Sequence, residues 1–124
     1  MTIQELYSNM GGNYDQAVRV MKSDRLIDKY VRKLKGSRVG ETLAEAGETM
    51  DAVRLFESAH AMKGVCSNLG LDELAAAADA ITEEFRPGNA RKLSDEAVRE
   101  KLRAIDARYR ATVEQITRYE EEGK

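Results

Sequence analysis

Apolar residues recur along most of this chain at alternating spacings of three and four, and almost nowhere in strict alternation. One series is Ala52, Leu55, Ala59, Met62, Cys66 and Leu69. A second is Leu71, Leu74, Ala78, Ile81 and Phe85. A third is Val98, Leu102, Ile105, Tyr109, Val113 and Ile116. That period puts one apolar stripe on each of three helices, and the missing β-branched alternation leaves no basis for a sheet. Each stripe must be buried against another, while the opposite faces stay wet. A charged fraction of 34% beside a hydrophobic fraction of 42% suits that arrangement.

Capping residues divide the chain. Thr2-Ile3-Gln4-Glu5 reads as a capping box opening a short helix to residue 9, which Gly11-Gly12 breaks. Asn13 caps a second short helix with Tyr14, Ala17, Val18 and Met21 on one side. Ser23-Asp24 starts a third, carrying Leu26, Ile27, Tyr30, Val31 and Leu34, and Gly36 ends it. A brief helix is expected over 41–46, between Gly40 and Gly47. Thr49 is expected to cap a helix over 50–68 that stops at Gly70. The next helix runs from Leu71 or Asp72 to Arg86, where a cation favours the dipole. Pro87-Gly88-Asn89 is the clearest loop, and Ser94 caps a last helix to residue 121, roughly 40 Å long. The acidic run from Glu120 is expected to fray as a solvated end. The expected fold class is all-α: an antiparallel up-down four-helix bundle with short N-terminal helices covering one end. The 124 residues are expected to make one domain.

Several function classes are disfavoured. Net charge is −2, so no overall field draws the chain to nucleic acid or anionic lipid. No apolar run is long enough to span a membrane, and the start is polar, without a signal peptide. Cys66 is the only cysteine, so no intrachain disulfide can form, which fits a reducing, cytoplasmic setting. One His and one Cys lack the ligand pairs of a metal site, so no metal and no cofactor are expected. No phosphate-binding glycine-lysine loop or Gly-rich kinase motif is present, so labelling from ATP is not expected.

The only histidine, His60, lies in Ala59-His60-Ala61-Met62-Lys63-Gly64-Val65-Cys66-Ser67-Asn68-Leu69-Gly70. Imidazole is the side chain best suited to nucleophilic work near neutral pH. On a wheel of about 100° per residue, Leu55, Met62, Val65, Cys66 and Leu69 fall on the core side and His60 nearly opposite. Around His60 lie Val53, Phe56, Lys63, Gly64 and Ser67. Lys63, at i+3, can offset an anion carried by the imidazole. Gly64, at i+4 in mid-helix, costs roughly 1 kcal/mol against Ala, and an outward glycine is not explained by core packing. It clears space for a partner's loop. Val53 and Phe56 read as a docking patch, or as burial against the N-terminal helices. Ser67 and Asn68 either face the site or satisfy the helix end. Cys66 reads as a small buried hydrophobe.

This twelve-residue stretch resembles the signature of histidine-containing phosphotransfer domains: a small residue, His, a variable residue, Leu or Met, Lys and Gly. Gly11-Gly12-Asn13-Tyr14 resembles an N-terminal element of the same family, and the helix ending in Pro87-Gly88 resembles the one that follows the signature. Ala61 stands where Thr is frequent, and Met62 where Leu is frequent. The resemblance implies that His60 is the phosphorylated residue, Lys63 the phosphate-side cation and Gly64 the clearance residue; partner contacts outside the motif vary in the family, so the expectation that Val53, Phe56 and Ser67 form the docking surface rests on the helix face alone. It implies a phosphorelay carrier whose partners are response-regulator receiver domains or a histidine kinase, with Mg²⁺ on the receiver. A monomer without autonomous kinase activity is expected. Two alternatives stay open: an adaptor bundle that accepts no phosphate, and the phosphotransfer segment of a multidomain kinase. Met1 and the complete bundle favour a free-standing chain.

Overall fold

The computed structural model describes residues 1–123. Among these, seven helices follow in order: α1 Ile3–Met10, α2 Tyr14–Met21, α3 Asp24–Gly36, α4 Val39–Thr49, α5 Ala52–Asn68, α6 Asp72–Glu84 and α7 Asp95–Glu122. Helices α4, α5, α6 and α7 form the antiparallel up-down bundle, each packed on the next and α4 closing onto α7. The short helices α1 and α2 sit at the end of the bundle where α5 turns into α6. Helix α3 packs along α7.

The caps expected at four helix starts are formed. Thr2 and Glu5 exchange bonds of 3.1 Å as a capping box. Asn13, Ser23 and Ser94 accept from the backbone of Gln16, Leu26 and Ala97. The fifth expectation is corrected: Thr49 is the last residue of α4, and Asp51 caps α5, its Oδ1 accepting from Val53 and Arg54 at 3.1 Å each. Met50 between them takes a left-handed turn, φ 52°.

Helix α4 is also longer than expected, because Gly40 and Gly47 lie inside it rather than stopping it. A Cβ on Gly40 would come within 2.5 Å of the Tyr109 ring, and one on Gly47 within 2.7 Å of Leu102. Both glycines are close-approach points between α4 and α7, so their helical cost is offset by packing.

One contiguous apolar core joins all seven helices, with Leu6, Ile27, Leu43, Leu55, Met62, Leu74, Ile81 and Ile116 fully buried. Burying such a side chain contributes about 1.5–3 kcal/mol before entropy is charged. The buried Tyr109 hydroxyl donates to the Leu34 carbonyl at 3.1 Å. Glu84, buried at the end of α6, accepts from the backbone of Leu93 at 2.8 Å and Lys92 at 3.0 Å, and from Arg91. The Leu93 bond is the main reason its carboxyl is held below the usual range. This carboxylate pins the loop between α6 and α7. The acidic end of α7 is more ordered than expected: the helix continues to Glu122, and Glu120 pairs with Arg32 and Lys35 of α3. Lys124, also expected to fray, lies outside the described residues. No helix is long and apolar enough to cross a membrane among the described residues.

Candidate phosphotransfer site

Helix α5 is held at both ends. Asp51 satisfies its first amides. At the other end Leu71 N–H returns to the Cys66 carbonyl at 2.9 Å, around Gly70 at φ 69°. The Tyr7 hydroxyl donates to the Leu69 carbonyl at 2.7 Å, and Asn13 N–H to the Gly70 carbonyl at 2.7 Å. A Cβ on Gly70 would lie 2.2 Å from the Asn13 carbonyl oxygen, so the turn accepts only glycine. Between these anchors Leu55, Ala59, Met62 and Cys66 are buried, which sets the rotation of the helix.

That rotation leaves His60 exposed. Its imidazole stacks on Phe56, ring centroids 6.0 Å apart and planes 10° from parallel. Phe56 is half-buried against the core, so its inner edge packs while its face meets His60. The Arg86 guanidinium lies 5.3 Å from the Phe56 ring centroid. Arg86 is itself clamped by Glu83, with Nε and Nη2 at 2.9 and 2.8 Å from its oxygens. That clamp is the main reason the Glu83 carboxyl sits below the usual range and the Arg86 guanidinium above its own.

Lys63 lies on the same face, and its ammonium is 2.8 Å from Asp79 Oδ1 on α6. Side-chain exposures of 39% and 41% make this a solvated pair, worth under about 1 kcal/mol and readily exchanged. A Cβ on Gly64 would meet nothing within 4 Å, in contrast to Gly40 and Gly47. Val53 is 63% exposed, and Ser67 is exposed at the helix end with its carbonyl accepting from Gly70 N–H.

The residues expected around His60 therefore share one outer face of α5. Val65 is the exception among the core-side residues. It is 39% exposed, because α2 and α3 leave an open groove beside it instead of closing over it. Cys66 is fully buried, and burial pushes its thiol up to about 12. Asp79, Glu83 and Arg86 were not singled out as site residues by the sequence. Only the Glu83–Arg86 spacing hinted at an ion pair, and nothing hinted that α6 would bring it to Phe56.

The bundle thus presents one imidazole on an exposed helix face, with an ammonium a turn away on the same face. A family model for the Hpt domain matches residues 27–118, and the chain belongs to the Hpt domain family. The match begins within α3 and ends within α7, leaving α1 and α2 outside it. No curated protein and no solved structure matches the chain. Hpt domains are histidine phosphotransfer carriers of two-component phosphorelays, working with receiver domains and kinases.

Proposed function

We propose that His60 is the phosphoryl-carrying residue, receiving the group from a receiver-domain aspartate or a kinase and passing it to another receiver aspartate. The observation that carries this reading is the exposure of the chain's only imidazole on the face it shares with Lys63 and Gly64. The neutral imidazole offers a ring nitrogen lone pair in line with the P–O bond of the aspartyl phosphate. The N–P bond forms, the P–O bond breaks, and the carboxylate leaves with its electron pair. The ring keeps its proton on the other nitrogen and becomes cationic, which leaves the step reversible. Positioning and charge compensation supply most of the catalysis in such a transfer. Mg²⁺ is assigned to the receiver, and this chain supplies no cofactor.

Phe56 orients the imidazole by stacking, since a ring held against a half-buried partner samples fewer rotamers. Lys63 is the phosphate-side cation. A phosphoryl group carries roughly −1.5 to −2 charges, so it competes well against the single carboxylate of Asp79 for the ammonium. Gly64 leaves the approach open. Val53 and Ser67 lie where a docked receiver would rest.

The test is label transfer from a phosphorylated receiver to the wild-type chain and to His60→Gln. Uptake is expected only with His60, as an acid-labile, base-stable phosphoramidate. Equal labelling of His60→Gln sinks the proposal and leaves the adaptor reading in its place.

A further inference from the structure

The net charge of −2 conceals where the charges stand. Residues 19–38 carry eight basic and two acidic side chains, and residues 39–51 carry four acidic and no basic ones. Helix α4 falls in the acidic stretch, with Glu41, Glu45 and Glu48 on successive turns. Facing it, α7 carries Arg99, Arg103 and Arg110, whose separations of four and seven put them on one side of the helix.

These two rims enclose an open groove of about 650 Å³. Leu102 is half-buried at its floor, among Ala44, Gly47 and Ala107. The close approaches of Gly47 to Leu102 and of Gly40 to Tyr109 fix the register of the two antiparallel helices. Glu48 is thereby level with Arg99 and Arg103, and Glu41 with Arg110. The rims do not neutralise each other. Among the described residues no ion pair joins α4 to α7, and Glu48 and Arg99 have none at all. Glu41 and Glu45 pair with Arg38, while Arg103 and Arg110 pair with Glu96 and Asp106 on α7 itself. All of these are solvated pairs that exchange readily.

We propose that this groove is a self-association face, where two copies meet about a twofold axis running along it. That axis keeps every residue at its level and exchanges the rims. The glutamates of α4 then lie against the arginines of α7 in the other copy, and the pairing repeats on the far side. Glu48 meets Arg99 and Arg103 of the other copy, and Glu41 meets Arg110. A twofold axis lying across the groove would instead set α4 on α4 and α7 on α7, which like-charge repulsion opposes. Charge therefore selects one symmetric arrangement. In it Leu102 faces its own copy across the axis, and the long Glu and Arg side chains close the seam, as flanking charges do in paired helices.

Other occupants meet one rim of the wrong sign. A nucleic acid or an acidic peptide suits the arginines and is repelled by Glu41 and Glu48; a basic peptide meets the reverse. A second copy already carries both signs at the matching levels. The pairing needs nothing from His60. In the ring of α4, α5, α6 and α7 this groove lies opposite the α5–α6 side, where Lys63 meets Asp79, so both imidazoles of the pair stay open. A face of this extent, with one half-buried leucine, gives a weak and transient dimer in place of the expected monomer.

Sedimentation velocity over a concentration series tests this, with circular dichroism checking the fold of each variant. The wild type should dimerise with a Kd between about 10 μM and 1 mM, weakening as salt rises. Arg99→Glu/Arg110→Glu makes both rims acidic, and Glu41→Arg/Glu48→Arg makes both basic, so each alone should be monomeric. Mixed in equal amounts they should form a heterodimer, because every rim then meets one of opposite sign. A chain with all four substitutions should dimerise as the wild type does. Glu48→Gln and Arg99→Gln break no ion pair within the chain, and each should raise Kd about threefold or more, since each removes two symmetric contacts. A wild type still monomeric at ~1 mM overturns the inference. So does a dimer that survives both reversals, or a mixture of the two folded variants that stays monomeric.

Discussion

Replacing Gly64 with alanine should make the protein more stable and a poorer relay. Glycine in a helix interior costs about 0.5–1 kcal/mol relative to alanine, through the backbone freedom it loses on folding. Gly64 lies inside α5, and a Cβ there meets nothing within 4 Å, so alanine introduces no clash against that gain. The expected stabilisation is therefore about 0.5–1 kcal/mol, a rise in melting temperature of roughly 2–6 °C for a domain of this size. Gly40→Ala and Gly47→Ala supply the contrast. Their Cβ atoms would lie 2.5 Å from Tyr109 and 2.7 Å from Leu102, and overpacking of that kind costs about 1–3 kcal/mol. Thermal melts of the three variants separate a glycine that the bundle needs from one that it does not. Transfer kinetics with a cognate receiver then ask what Gly64 is for. Gly64→Leu puts a side chain where the receiver must come close, and the same overpacking at the docked interface predicts a loss of about 5- to 150-fold in kcat/KM. Two results refute the reasoning: a lower melting temperature for Gly64→Ala, or wild-type transfer by Gly64→Leu.

Other perturbations probe the face and the core. Lys63→Ala should slow transfer while changing stability by less than about 1 kcal/mol, since its partner Asp79 is solvated; equal slowing by unfolding would show as a shifted melt. Asp79→Asn leaves the Lys63 ammonium without a resident carboxylate and should speed phosphoryl uptake by no more than about fivefold, the equivalent of ~1 kcal/mol. Slower uptake in single-turnover assays would give Asp79 a different part. Cys66, with its thiol pushed up to about 12, should resist iodoacetamide at pH 8 in the folded protein and react on unfolding. The sign of the linked stability follows from the same direction. The unfolded thiol ionises first, so stability is complete below the ordinary thiol range and falls as pH rises from there toward about 12, with buried Tyr7 shifted the same way. Alkaline denaturation curves of wild type and Cys66→Ala would show the thiol's share.

The apolar period and the capping residues made most of the fold readable, because both act within one helical turn. Thr2, Asn13, Ser23 and Ser94 cap where their side chains predict. Gly40 and Gly47 misled because local propensity treats glycine as a breaker, and what keeps them in α4 is the Tyr109 ring and Leu102 from a helix some sixty residues away. Asp51 displaced Thr49 through a left-handed Met50 that no local rule favours. The outward face of α5 was legible because Leu55, Met62 and Cys66 fix its rotation. Asp79, Glu83 and Arg86 were not, because they reach the face only through the register of α6 on α5. Val65 fell on the wrong side because a wheel knows the angle of a residue but not whether a neighbouring helix closes over it. Summed charge hid the basic segment at residues 19–38 for a related reason: a total carries no position.

The bonds from Tyr7 and Asn13 to the end of α5 make the first two helices part of the carrier's mechanics, although the family match begins only at residue 27. They grip the carbonyls of Leu69 and Gly70, at the turn that joins α5 to α6. His60 stands on one of those helices, and its neighbours Asp79, Glu83 and Arg86 on or just beyond the other. A shift at that turn would move the imidazole and Lys63 together, away from Asp79, Glu83 and Arg86. A chain trimmed to the family core would keep every residue around His60 and lose both bonds to the turn that joins its two helices.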